Sequence, residues 1–297
     1  MNKKKNRMKL GREKFRTYMI FALPGFLLYL CFFVAPLLLG IYYSLLDWNG
    51  YSKNYNFIGL DNYAKALTDN TFRRAIFFNL KYSAMLIVLV ITLSLLLSAI
   101  LSKNFRFRVF VRSVFFMPAV LSMLTVSLIF SEIFYRAVPA LGEMLQVTAL
   151  SNNILSSKDT AIFGILMVHV WQGVAIPTVL LMSALQTVPV EIMESSLIDG
   201  ASRWQQFWKI TLPFLMPTLG VILVLLLRDG LTLFDYVYGL TQGGPGGATR
   251  TITLLIYQQG FEEWNFSFAI AESLILAVLL AMFSLFQMSI TQRKQIY

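Results

Sequence analysis

The sequence predicts an all-α integral membrane protein with six transmembrane helices and a patterned polar loop on the cytoplasmic side. Three observations predict it. The 297 residues are 57% hydrophobic and only 13% charged, whereas a soluble domain is about half apolar and a quarter charged. Six apolar runs each approach the length of a bilayer crossing. The basic side chains gather in alternate connections between those runs.

A helix needs roughly 20 apolar residues to cross the hydrocarbon core. The candidate spans are Tyr18–Ser44, Tyr82–Leu101, Val109–Phe134, Ala161–Leu185, Ile210–Leu227 and Phe266–Ile290. They read as helices because the open edge of a sheet leaves backbone polar groups unsatisfied in lipid. The basic stretch ahead of Tyr18 resembles the start of a secretory signal. The apolar run behind it is too long for a signal core and no small-residue cleavage pattern follows, so it reads as an uncleaved span. Leu46–Lys81 is the longest external segment, and Arg136–Thr160 is a second external loop. Nothing reads as a linker to a second soluble domain. The expected organisation is a basic tail over 1–17, a six-helix domain over 18–290 that contains the polar loop 189–213, and a short tail over 291–297.

Charge sets the orientation. With the N-terminus inside, residues 1–17 contribute eight Lys and Arg, Ser102–Arg112 four, Gln186–Lys209 two and the C-terminal tail two. Sixteen basic residues then lie inside and nine elsewhere, while four acidic residues lie inside and eleven elsewhere. The positive-inside rule favours both termini in the cytoplasm. The net charge of +10 points to a membrane surface rather than nucleic acid, because the cations sit beside apolar runs.

The polar loop lies between the fourth and fifth runs. Pro189 suits a first helical turn, and Glu191 and Glu194 suit the positive end of the helix dipole. Val190, Met193 and Leu197 fall on one helical face. Gly200 suits a left-handed stop and Ser202 can cap a second helix, with Trp204, Phe207 and Trp208 as its apolar face. Pro213 and Pro217 fall near the start of the fifth span. Two short amphipathic helices around a glycine turn are expected. Such a pair either anchors the loop among headgroups or docks into a groove on a cytoplasmic partner.

Catalytic chemistry is hard to build from this chain. Cys31 and His169 are its only cysteine and histidine, so an internal disulfide is impossible and a cysteine or histidine metal cluster is not expected. His169 reads as a packed residue. The glycine-rich Gly243–Arg250 stretch has no Gly-Lys-Ser/Thr and is not a Walker loop; it reads as an external turn or a binding-protein contact. No nucleophile–base pair stands out.

Ionisable residues within spans are functional candidates. Asp229, beside Arg228, closes the fifth run, and Glu272 stands in the sixth with apolar neighbours. Trp171-Gln172-Gly173 places an aromatic face, an amide and a gap together, which suits a sugar whose C–H faces lie on rings while its hydroxyls meet polar groups.

Glu194-Ser-Ser-Leu-Ile-Asp199-Gly200-Ala201, followed by Phe207, Ile210 and Leu212-Pro213, resembles the EAA loop of ABC importer permeases, with Ser195 and Ser196 in place of alanines. Phe57-Ile-Gly-Leu-Asp-Asn-Tyr63 and Phe234-Asp-Tyr-Val-Tyr-Gly-Leu-Thr-Gln-Gly-Gly-Pro245 resemble segments of the carbohydrate branch. The resemblance covers Tyr18 to Ile290. It implies the type I importer permease fold in a bacterial cell membrane. It also implies ATPase coupling through Glu191, Glu194, Ser195, Ser196, Asp199, Gly200, Ala201, Phe207 and Pro213, and a sugar path past Trp171, Gln172, Gly173 and Ile176, with Asp229 and Glu272 as further candidates. The implied partners are a second similar permease, two ATPase subunits, an external sugar-binding protein and the sugar. No cofactor is expected on this chain, since ATP and Mg²⁺ belong to the ATPase. A glycerol-phosphate or other polyol permease is the alternative within the class. An ion-coupled secondary transporter, with its helix breaks at the midplane, and a structural scaffold are the alternatives outside it.

Overall fold

The computed structural model describes residues 17–103 and 106–293. The expected tails 1–17 and 291–297 lie outside the described residues except for Thr17 and the backbone through Arg293. Five helices are long and apolar enough to cross a membrane, and one bent pair makes a sixth crossing. The continuous spans are Thr17–Ser44, Asn70–Leu101, Met123–Met144, Arg203–Leu231 and the helix that begins at Phe266 and ends at Arg293. The bent fourth span is Ala161–Gly173 followed by Ala175–Leu185.

The chain divides into two compact units. The smaller holds the described residues up to Ala66 together with Gln259–Leu274. Its first span leads into a two-residue hairpin in which Leu46 pairs with Phe57 and Asp47 with Asn56. The short helix Asp61–Thr68 starts there, and its buried Asn62 donates to the carbonyls of Ser44 and Leu46 at 2.9 and 2.8 Å. Tyr63 Oη lies 2.6 Å from Ser44 Oγ. The Phe57–Tyr63 motif is therefore the lock that closes the first span's end, whose last carbonyls have no partner within the helix. Trp48 packs edge-on to Phe266 and its carbonyl accepts from Ser267 N at 3.0 Å, fixing where the last span begins.

The larger unit holds Leu67–Gln258 and the chain from Ile275 onward. Its core is a continuous cluster that includes Tyr82, Leu86, Val90, Ile165, Leu181, Leu215 and Ile222. Several spans depart from the sequence expectation, each for a local reason. The second begins at Asn70 rather than Tyr82, because the Asp69 side chain accepts from Thr71 N and Phe72 N and caps the helix twelve residues earlier. The third is not one helix over Val109–Phe134. Arg108–Phe116 is separate, Met117–Val120 is a tight 3₁₀ turn around Pro118, and Met123 opens the crossing. That crossing runs on to Met144, so the first part of the expected external loop Arg136–Thr160 is helical. The fourth span bends by 43° at Val174. Pro177 removes the amide that would bond the Gly173 carbonyl and crowds that carbonyl with its ring.

The fifth span starts at Arg203, not Ile210. The second of the two expected short helices is therefore its foot and not a separate element. A wide π turn over Phe207–Thr211 sits just before Pro213 and absorbs the bond that proline cannot donate. At the other end, Asn79 of the second span donates to the carbonyls of Gly230 and Leu231 at 2.9 and 3.1 Å. Its Oδ1 accepts from Ile252 N at 3.0 Å. One buried amide thus closes the fifth span and opens the short helix Ile252–Tyr257. Arg112 similarly donates to the terminal carbonyl of Leu101.

Candidate coupling loop and transport path

Pro189 is the residue before the loop helix rather than part of its first turn, with ψ at 130°, and the helix runs over Val190–Ile198. It ends in a Schellman turn. Gly200 takes φ +76°, Gly200 N donates to Leu197 O at 3.0 Å and Ala201 N donates to Ser196 O at 2.9 Å. Ser202 then forms a capping box with Gln205: Gln205 N donates to Ser202 Oγ and Ser202 N donates to Gln205 Oε1. Two residues separate the end cap of one helix from the start cap of the next, so the turn has little slack.

Glu191 stands in the first turn of the helix, as expected. The side chains of Glu191, Glu194 and Asp199 are exposed and make no hydrogen bond or ion pair among the described residues. The hydrogen bonds that shape the turn come from the backbone, Ser202 and Gln205. The face with Val190, Met193 and Leu197 is only partly covered. Met193 is half-buried, while Val190, Leu197 and Ile198 are exposed, Ile198 to 87%. Exposed aliphatic side chains beside exposed carboxylates form a mixed apolar and acidic ridge. Ser195 is exposed and bonds only back to Ile192 O among the described residues. Ala201 and Phe207 are half-buried, Pro213 is exposed, and Trp208 packs edge-on against both Trp204 and Phe207.

Sequence reasoning missed Gln206. It is buried, and its Nε2 donates to Ser196 Oγ at 2.8 Å and to Met193 O at 3.3 Å. Its only signal was a polar residue on the inner side of the Trp204–Trp208 turn.

The path candidates separate into distinct environments. Gln172 is buried and committed: Nε2 donates to Pro118 O and Leu121 O at 3.1 and 2.8 Å, and Oε1 accepts from Tyr236 Oη at 2.8 Å. It braces the break of the third span from the bend of the fourth. Gly173 lies beside it, where an added Cβ would stand 3.4 Å from the His169 ring. His169 is the packed residue the sequence suggests, stacked on Tyr236 at 4.4 Å and 3.0 Å from Tyr82 Oη. Trp171 instead packs on Phe130 at 5.2 Å and faces an open apolar groove of about 800 Å³ lined by Met85, Val88, Phe163 and Met167. Ile176 is exposed. Asp229 is half-buried in the last turn of the fifth span. Glu272 belongs to the smaller unit and is fully buried on the last span. The glycine-rich segment is a turn held by Thr249, whose Oγ1 donates to Gly244 O at 2.6 Å and lies 2.8 Å from Thr241 Oγ1.

Six crossings, a broken span pair braced by one amide, and a polar loop welded to the fifth crossing define a transport subunit of the bacterial importer type. The chain belongs to the family of binding-protein-dependent transport system inner membrane components, whose pattern matches residues 91–295. It is a permease subunit of an ABC importer and not an enzyme; the ATPase is a separate subunit. It is 37% identical to the multiple sugar-binding transport system permease protein MsmF of Streptococcus mutans, over 93% of this chain and 95% of that one. It is 30% identical to the probable starch degradation products transport system permease protein AmyD of Thermoanaerobacterium thermosulfurigenes, over 94% and 95%. Its fold matches a chain of a bacterial ABC transporter involved in import of the acidic polysaccharide alginate, with a TM-score of 0.81 over 96% of this chain and 99% of that one at 22% identity.

Proposed function

We propose that this chain is one of two similar permease subunits that together line the path of an oligosaccharide, driven by two copies of an ATPase and supplied by an external sugar-binding protein. The ATPase would hold the ATP and Mg²⁺. The observation that carries this reading is the loop helix Val190–Ile198, exposed on its apolar and acidic ridge and joined to an unbroken span of 29 residues. A ridge that meets a groove on the ATPase would pass its motion directly into the membrane. The similarity to sugar permeases supports the substrate class. The asymmetry of Lys and Arg supports both termini in the cytoplasm, which puts the ridge on the side where ATP is.

Within the larger unit, Trp171 and Ile176 would offer surface to sugar C–H faces and Asp229 would meet hydroxyls, and Glu272 on the last span is a separate hydrogen-bonding candidate. Gln172 and Gly173 would set the bend beneath them. The test is uptake into proteoliposomes carrying the intact importer and its binding protein, across a panel of labelled oligosaccharides. Uptake should require ATP and persist when ion gradients are collapsed. Uptake that follows an ion gradient without ATP, or that is confined to glycerol phosphate, would replace this reading.

A further inference from the structure

The loop helix and the fifth span are joined by a four-residue turn, Asp199–Ser202. The Schellman turn and the capping box fix the backbone, but both lie at the turn itself. Among the described residues, a hydrogen-bonded cluster farther along resists rotation of one helix about that turn. Ser196 Oγ donates to Met193 O at 2.7 Å and accepts from Gln206 Nε2 at 2.8 Å, while Gln206 Nε2 also reaches Met193 O at 3.3 Å. Gln206 lies in the first turn and a half of the span and is buried. Ser196 and Met193 lie one turn apart on the loop helix. The three groups form a closed triangle between the two elements.

We infer that Gln206 is the positioning residue that makes the loop helix and the fifth span move as one rigid lever, with Ser196 and the Met193 carbonyl as its partners. The lever is long. At 1.5 Å per residue the span from Arg203 to Leu231 reaches about 43 Å, so a tilt of a few degrees at its foot becomes a shift of a few ångströms at its far end. Without the tie, the turn absorbs part of any push on the loop helix, and less displacement reaches Gly230. Loss of this buried amide leaves the Ser196 hydroxyl without its donor and the Met193 carbonyl without the Gln206 bond. Ser195 is the internal control, being adjacent, exposed and turned back onto its own helix.

The inference rests on the coupling role of the loop, and two measurements keep the tie and that role separable. Spin labels at Ile198→Cys and Val221→Cys, in a Cys31→Ser background, report the distance between the two elements by double electron–electron resonance. The parent should give one narrow distribution. Gln206→Met should broaden it and Ser195→Ala should not; an unchanged distribution in Gln206→Met overturns the tie. In the reconstituted importer, Gln206→Met should lower sugar uptake per ATP hydrolysed by about tenfold while the ATPase still copurifies. Ser196→Ala should lower it less, and adding it to Gln206→Met should cost nothing further. A broadened distance with uptake per ATP unchanged overturns transmission through Gln206. Failure of the coupling role itself would be visible in the parent, as uptake indifferent to ATP.

Discussion

Gly230 of the fifth span lies so close to Ser83 of the second that a Cβ on the glycine would fall 2.8 Å from the Ser83 Cα. The two chains touch there, and Ser83 Oγ, which donates to Asn79 O at 2.7 Å, would lie nearer still to that Cβ. Asn79 in turn caps Gly230 and Leu231. Close packing and capping at this end come from one turn of the second span.

Gly230→Val should therefore force the spans apart. Overpacking of a tight contact costs about 1–3 kcal/mol, and here the obstruction is backbone. The purified variant should melt several degrees below the parent in detergent, while Gly25→Ala, where an added Cβ meets nothing within 4 Å, serves as a mild comparison. An unchanged melting temperature for Gly230→Val would show that the spans separate freely.

The Gly200 position isolates backbone strain from crowding. Its φ is +76° and an added Cβ would meet nothing within 4 Å. A left-handed non-glycine residue costs about 1–2 kcal/mol, more for a β-branched one. Gly200→Asn should keep uptake near the parent level, and Gly200→Val should insert normally but lose ATP-driven uptake and the substrate stimulation of hydrolysis. Equal uptake by the two variants would mean the turn's shape is immaterial.

Gln172 and Trp171 are neighbours with opposite expected phenotypes. Gln172→Leu removes the partner of the Leu121 carbonyl and of the Tyr236 hydroxyl and leaves Pro118 O only its bond from Leu121 N, at about 1–3 kcal/mol for each buried group left unpaired. It should reduce the amount of folded protein recovered. Trp171→Ala and Glu272→Leu should leave assembly with the ATPase intact and lower uptake. Recovery and uptake measured side by side decide the matter; normal uptake in both of the latter variants removes them from the path.

Topology is checked at the loop. In a Cys31→Ser background, Ser202→Cys should react with a membrane-impermeant maleimide only from the cytoplasmic face. Labelling in intact cells from outside would invert the orientation.

The crossings were legible because apolar runs near 20 residues leave few alternatives in lipid. Their ends were not. Asp69 starts the second span across Arg73, Arg74 and Lys81, which hydropathy reads as exterior, because capping acts through one side chain and not through average polarity. Pro177 bends the fourth span inside an apolar run that shows no interruption. In the loop, the positive φ of Gly200 and the Ser202 cap followed from residue type. The fusion of the second short helix with the fifth span did not, because the proline at 213 argues for a stop and only a π turn makes it a continuation. Gln206 and Asn79 were missed, and the bracing bonds of Gln172 were not foreseen, for one reason: each is an ordinary amide whose partners lie on another element, which no local spacing reveals.

The π turn at Phe207–Thr211 has a consequence for how this segment tolerates change in length. A π turn is an α-helix carrying one surplus residue. Because the wide turn already holds that surplus residue, removing one residue between Phe207 and Thr211 would leave ordinary α geometry with Gln206 and the loop helix still aimed as before. A deletion elsewhere in the span, where each α residue turns the helix by about 100°, would re-aim everything N-terminal to it by roughly a quarter turn. The span thus tolerates shortening at this one turn and resists it elsewhere, a gear with one spare tooth.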